Sequence, residues 1–318
     1  MTLKPMAAGL ALALAGTASF AQNYPSKPIR IVVPYATGGG SDILARQISA
    51  SLQKNWNAAV AVENKAGASG NIGSQDVARA APDGYTLLLQ NSTMVTNLAV
   101  QGKLPYDPEK DLTPIMLLGV TPIALAAHPS SHITDLKSLI AEAKRRPLSY
   151  GSCGIGTPQH FVMEIIKQKA SIDAAHAGYK GCAPAVTDVL GNQIPLAIVS
   201  ANLVAPYAKN KKLNVAGVST NARYAAMPEA RSFAEQGLAP FDYSIWYALM
   251  GPAKLPQPIV DKLAKEIQAI VEAPEVKERL SNAGVEPLRG DGAALARVIR
   301  EDMERYSKLA KSMGIQAE

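Results

Sequence analysis

Apolar runs and glycine-rich polar runs alternate along this chain. Residues 29–34 form a short β-branched run and read as a buried strand. Gly38-Gly39-Gly40 follows, and then Ile43, Leu44, Ile48 and Leu52 recur at helical spacing. The same unit returns at 59–63, which leads through the glycine-rich stretch 64–73 into a helix at 74–80. It returns again at 85–89, which ends in Gln90-Asn91-Ser92-Thr93. Further on, the strand at 148–151 runs into Ser152-Cys153-Gly154-Ile155-Gly156-Thr157-Pro158-Gln159-His160. A helix carrying Phe161, Ile165 and Ile166 comes next. Strands at 194–199 and 213–219 complete this half, the first ending in Ser200-Ala201-Asn202.

This pattern carries chemistry. Glycine lets the backbone approach a ligand closely, because no Cβ intervenes. The first turn of a helix offers free N–H groups and partial positive charge. Strand, glycine loop and helix start together form a seat for a carboxylate or phosphate. In open parallel sheets, ligands bind outside the carboxyl ends of strands. The competing reading is ordinary tight turns between strand and helix.

The organisation predicts two α/β domains. Residues 113–127 are apolar but interrupted at Thr121-Pro122, so they read as two strands joined where the chain leaves the first domain. The return lies just before the strand-like 241–251, with Tyr243, Trp246 and Tyr247. The expected division is 22–121 with 242–318 against 122–241. Thr134 is expected to cap a helix bearing Leu136, Leu139 and Ile140. Pro184 and Gly191 should open and close another. Two amphipathic helices finish the chain: Ile259, Val260, Leu263, Ile267 and Val271 mark one, and Leu295, Val298, Ile299, Tyr306 and Leu309 the other.

The N-terminus sets the compartment. Lys4 precedes an apolar run at 6–18, and Ser19-Phe20-Ala21 supplies small-x-small. This is a signal peptide over residues 1–21, cleaved after Ala21, and it predicts export. The run is too short to span a membrane permanently. The net charge is +6, with a pI near 9.1. The basic clusters stop at Lys144-Arg145-Arg146 and 209–212, without aromatic interleaving, which argues against a nucleic-acid partner. In an exported chain the two cysteines, Cys153 and Cys182, suggest a disulfide, with two buried free thiols as the alternative. A bridge over that loop would contribute roughly 3–4 kcal/mol in the chain-entropy model. Four histidines and two cysteines show no metal-ligand spacing, and no cofactor is expected. An exported hydrolase using Cys153 and His160 is the enzymatic alternative. It lacks a Gly-x-Ser-x-Gly elbow, and a bonded Cys153 could not attack.

Several motifs resemble one family over the whole exported chain. They are Tyr24-Pro25-Ser26-Lys27-Pro28-Ile29, Val33-Pro34-Tyr35-Ala36-Thr37-Gly38-Gly39-Gly40-Ser41-Asp42, Val62-Glu63-Asn64-Lys65-Ala66-Gly67 and Gly70-Asn71-Ile72-Gly73. Ala81-Pro82-Asp83-Gly84-Tyr85-Thr86-Leu87, Leu104-Pro105-Tyr106-Asp107-Pro108, Tyr179-Lys180-Gly181 and Leu190-Gly191-Asn192-Gln193 complete the set. Their order and spacing resemble the Bug, or TctC-like, solute receptors of tripartite tricarboxylate transporters. The resemblance implies a periplasmic, type II-like binding-protein fold: two lobes, each a mostly parallel sheet flanked by helices, closing on a ligand between them. It implies a monomer that binds a small carboxylate and serves the membrane subunits of a transporter, or alternatively a membrane sensor kinase. Carried over, the carboxylate side comprises Tyr35, Thr37, Gly38, Gly39, Ser41, Asp42, Ser69, Gly70, Ser92 and Thr93. The second lobe would add Thr157, His160, Tyr179, Ser200 and Asn202. Thr37 stands where many relatives have proline. Val199 stands where many have an acidic residue, which disfavours an amino-acid ligand and favours a plain, even aromatic, carboxylate.

Overall fold

The structure is a computed structural model and describes residues 24–316. The expected signal peptide at 1–21 lies outside the described residues. In chain order the elements are β1 (Ile29–Val33), α1 (Gly40–Trp56), β2 (Val60–Asn64), α2 (Asn71–Ala78), β3 (Thr86–Asn91), α3 (Thr93–Gln101) and β4 (Leu112–Thr121). The second half begins with β5 (Ile123–Ala127), α4 (Leu136–Arg145), β6 (Ser149–Ser152), α5 (Pro158–Ala170), β7 (Ala175–Gly178) and α6 (Cys182–Leu190). Then come β8 (Leu196–Ser200), α7 (Ala201–Lys209), β9 (Asn214–Val218), β10 (Ile245–Pro252), α8 (Gln257–Glu272), α9 (Pro274–Asn282), β11 (Glu286–Asp291) and α10 (Gly292–Met313).

Two sheets result. The first has the order β11-β4-β10-β3-β1-β2 and the second β7-β6-β8-β5-β9. Both are mixed, and the mixture is segregated. In the first, β1 pairs parallel with β2 and β3, while β10 runs antiparallel to β3 and β4. In the second, β6 pairs parallel with β7 and β8, while β5 runs antiparallel to β8 and β9. The parallel half of each sheet therefore sends three loops to one end, and the antiparallel half carries the connections between lobes.

Burial explains the continuous apolar runs. On β1, Ile29, Ile31 and Val33 face one core, with Leu44, Ile48 and Ile259, while Val32 faces another, with Val77, Met94 and Leu295. Leu87 and Leu89 against Leu88 repeat the alternation on β3. A sheet covered on both faces needs apolar residues at every position, not every second one.

The chain crosses between lobes twice, at Pro122 and between β9 and β10. Ser219 is fully buried between the crossings. Its hydroxyl accepts the Ile123 N–H at 2.9 Å and donates to the Tyr243 carbonyl at 3.0 Å. Its N–H donates to Ile123 O and its carbonyl accepts from Tyr243 N–H, at 2.8 and 2.9 Å.

Some elements differ from the sequence reading. Asp135, not Thr134, caps α4, in a capping box with Ser138; the carboxylate is the stronger acceptor for the free N–H groups. The C-terminal region has three helices, not two, because Pro274 starts α9 and β11 follows it. The elements β7, α3 and α7 were not expected.

Candidate functional site

Each of the three parallel strands in a lobe ends at a loop that starts a helix. In the first lobe these are the starts of α1, α2 and α3, and in the second those of α5, α6 and α7. The two lobes touch: a Cβ built on Gly156, in the loop before α5, would stand 2.9 Å from Val100 Cγ2 in the last turn of α3. Phe161 of α5 is fully buried among first-lobe residues, edge-on to Tyr306 at 5.1 Å.

Three first-lobe loops interlock into one cradle. The Tyr35 hydroxyl donates to Gln90 Oε1 at 2.5 Å and lies 3.0 Å from Asn91 Oδ1. Asn91 then donates to Ser41 Oγ at 3.2 Å and accepts the Thr93 N–H at 2.9 Å. Asn97 donates to the Ser69 carbonyl at 2.7 Å. The Tyr35 ring packs on Gly70, where an added Cβ would lie 3.1 Å from it. Burial raises the Tyr35 phenol above its ordinary range, so it stays a neutral donor.

Glycine is required at two points. Gly38 has φ +85°, and Gly40 lies so close to Tyr247 that a Cβ would come 2.8 Å from its ring carbon. Thr37, Gly38 and Gly39 are exposed at the rim, while Ser41 and Asp42 are buried beneath it. Asp42 faces its own loop: it accepts from Gly38 N–H and Arg46 at 2.9 Å each, and from Asn64 at 2.9 Å. Its carboxylate shapes the loop, and the Arg46 guanidinium at 2.9 Å offsets its charge. Ser92 is fully buried at the cradle floor, and its Oγ has no partner among the described residues.

The helix starts at these strand ends are largely without a side-chain cap: none is found at α1, α2, α3, α6 or α7, as none is at α8 or α9. Several of their first N–H groups are taken by other partners: Asn71 donates to the Ala68 carbonyl, Ile72 to Gly67, Thr93 to Asn91 Oδ1 and Ala201 to Pro122. The starts of α1 and α6 keep N–H donors for an incoming anion.

The second lobe is braced differently. A disulfide joins Cys153 to Cys182, tying the loop before α5 to the start of α6. Thr157 caps α5 and donates to the Gly154 carbonyl at 2.8 Å. His160 is 8% exposed and stacks on His176 at 3.9 Å between ring centres. Its Nδ1 accepts the Gly156 N–H at 3.2 Å. His176 Nε2 meets Ser152 Oγ at 2.7 Å, and Ser152 holds Gly154. Desolvation, then the neighbouring His176, pushes the His160 imidazole down to about 4. The Tyr179 hydroxyl is likewise committed, donating to Asp188 at 2.6 Å. Ser200 Oγ accepts from Gln159 at 3.2 Å, and Gln159 also reaches Cys182 Sγ at 3.5 Å. Asn202 packs on Gly284 of the first lobe, with its Oδ1 buried and without a partner among the described residues. The sequence reading missed Asn91, Gln90, Asn97 and Gln159, the amides that tie these loops. The small polar loop endings were their only signal.

No group of three His, Cys, Asp or Glu side chains that could hold a metal occurs among the described residues. No helix there is long and apolar enough to cross a membrane.

Comparison with known proteins agrees with this architecture. The sequence profile of the tripartite tricarboxylate transporter family receptor matches residues 44–315. A UPF0065 protein of Bordetella bronchiseptica is 36% identical over 307 residues, covering 96% of this chain and 91% of that one. Among solved structures, the periplasmic binding protein BugD superposes with a TM-score of 0.83 at 30% identity, covering 93% and 100% of the two chains. Rpa4515 of R. palustris, solved with adipate, gives 0.86 at 28% identity, covering 92% and 99%.

Proposed function

The chain belongs to the tripartite tricarboxylate transporter receptor family, and from that premise we propose that it captures a small organic carboxylate outside the cytoplasm for a membrane transporter. Members of the family are periplasmic solute-binding receptors. The observation that carries the ligand class is the interlocked first-lobe cradle beside the uncapped start of α1, with the uncapped start of α6 on the second lobe. Backbone N–H groups at such ends complement a carboxylate at short range. The adipate held by Rpa4515 supports the same class.

In this reading, one carboxylate sits over the Thr37, Gly38, Gly39 and Ser41 loop, with Ser69-Gly70, Ser92 and Thr93 beside it. Tyr35 and Asp42 hold the cradle in shape from below. Ser200 and Asn202 meet the far end of the ligand, while Thr157, His160 and Tyr179 set the loops of that lobe. The bodies that close are residues to 121 and from 242 against 122–241. Closure excludes water and strengthens each bond. A micromolar dissociation constant, about −8 kcal/mol, is within reach of several such bonds. No bond is broken, and the disulfide at Cys153 supports reading the site as a receptor, since it removes the candidate nucleophile.

The test is a thermal-shift and calorimetric panel of succinate, malate, adipate, citrate, benzoate and glutamate against glucose and glycerol. At 100 times its dissociation constant a bound acid adds about 2.7 kcal/mol, a rise of several degrees in Tm. Stabilisation by a neutral solute, with none from any acid, would overturn the reading.

A further inference from the structure

Ser219 ties the two crossings to each other, and one turn of α10 ties the second crossing to the first lobe. Three side chains of that turn, Asp302, Arg305 and Tyr306, each reach a different neighbour. Asp302 is buried, and its Oδ2 accepts the indole N–H of Trp246 on β10 at 2.8 Å. The Arg305 guanidinium reaches the crossing itself. It stacks on the Tyr243 ring at 4.9 Å and donates to the Asp242 carbonyl at 3.3 Å. Tyr306 reaches the other lobe, through its contact with Phe161.

The guanidinium is the centre of this group. It pairs with Asp302 Oδ1 at 2.8 Å and lies 5.1 Å from the Tyr306 ring as well. Beyond Tyr243 the contacts continue into the second lobe. Tyr243 is edge-on to Phe241 at 5.0 Å, and Phe241 lies 5.4 Å from Phe233, which packs on Gly217 of β9. Both phenylalanines are fully buried. One cation and a line of rings therefore run from α10 across the crossing to the far sheet. Stability alone does not account for a charge at this place. Arg305 Nε is buried without a partner among the described residues, and a charge drawn partly out of water gains little net stability from its ion pair. What the planar guanidinium supplies is direction, since it lies flat on rings and bonds along its edge.

We propose that Arg305 is a positioning residue for lobe closure. By holding the Tyr243 ring and the Asp242 carbonyl against α10, it fixes the direction in which the chain leaves the first lobe, and so keeps Phe161 on Tyr306. Tyr243 is bonded to Ser219 through both its N–H and its carbonyl, so a freed ring lets both crossings turn against the first lobe. None of these contacts is with a ligand loop. Arg305 therefore acts on affinity through the fraction of molecules already closed, because apparent affinity scales with the population of the binding-competent form.

The effect on affinity rests on the receptor reading above, whereas lobe separation does not, and the test reads both. R305M keeps the apolar stem and removes the charge, and R305K keeps the charge. R145A, which breaks an exposed ion pair on α4, is the control. Small-angle X-ray scattering of the ligand-free proteins reports lobe separation, and calorimetry with adipate and malate reports affinity. R305M should show a larger ligand-free radius of gyration that returns to the parent value at saturating acid. Its binding should be about fivefold weaker, with Tm shifted by no more than about 2 °C. R305K should fall between R305M and the parent, and R145A should match the parent. An unchanged ligand-free radius in R305M overturns the proposal, as does the same expansion in R145A. So does a radius that stays enlarged at saturating acid, which is general loosening. If the parent binds neither acid nor any other carboxylate, the receptor reading fails, while the ligand-free scattering still decides whether Arg305 positions the lobes.

Discussion

The two lobes arrive at the same arrangement of strand ends, glycine loops and helix starts, yet they hold it by different means. In the first lobe, side-chain amides and one phenol knit three loops through hydrogen bonds: Asn91 alone touches Tyr35, Ser41 and Thr93. In the second, a disulfide and a stacked imidazole pair fix the loop before α5. A cradle of neutral amides offers nothing that titrates or is reduced, whereas the jaw holds a cystine open to reduction and an imidazole that takes a proton only near pH 4. The constant half of the site and the adjustable half are therefore separated by lobe.

Four changes would break or sharpen this contrast. The largest effect is expected in the cradle. Gly40→Ala places a Cβ against the buried Tyr247 ring, so the α1 start must shift. Ligand affinity should fall at least about 100-fold, with a stability loss of roughly 1–3 kcal/mol; calorimetric titration and denaturant unfolding would show it. Next is the pair Cys153→Ala with Cys182→Ala. It should destabilise the protein by about 3–4 kcal/mol and weaken binding about tenfold. Hydrogen exchange should rise at 153–157 and stay constant at 35–42; a rise in both would mean the lobes are not braced independently.

The third concerns pH. Desolvation, then the charge of His176, holds folded His160 near 4, while its ordinary value is 6.5. The unfolded chain thus binds the proton first. Stability is complete above about 6.5 and falls as pH drops toward 4, by up to about 3 kcal/mol. First-lobe Asp42 has the same sign in a lower window. Burial would raise its carboxyl, but the bonds from Arg46, Gly38 and Asn64 outweigh that and hold it below 3.8. Its contribution is complete above that ordinary value and is lost as the pH falls from there through the lowered one. Unfolding measured from pH 7 to 3 should show the second-lobe loss first, and His160→Gln should flatten it. The smallest effect is Thr157→Ala, which removes a helix cap and should cost about 1 kcal/mol with little change in affinity.

Much of this was legible in the sequence, and the exceptions have causes. The strand and glycine-loop units follow from β-branched runs broken by Gly38-Gly39-Gly40 or Gly154-Ile155-Gly156, both strong local signals. The edge strand β7 was not legible, because Ala-His-Ala-Gly is half exposed and has no apolar face. Pro206 inside α7 obscured its helical period. In β11 only Gly290 is buried, so no alternation marks it. Within the site, loop positions could be read but side-chain directions could not. His160 and Tyr179 are engaged by partners 16 and 9 residues distant, His176 and Asp188. Nothing local in Gln90-Asn91 foretells that its amides join three loops.

The buried hydroxyl between the crossings has a mechanical consequence. Because Ser219 grips Ile123 at the start of β5 and Tyr243 just before β10, neither connection can twist without turning its companion. In the proposed closure the two linkers turn as a single spine, with the halves swinging about it like the covers of a book. Occupancy is then expressed as one angle, a quantity that a second protein can read from outside without touching the guest.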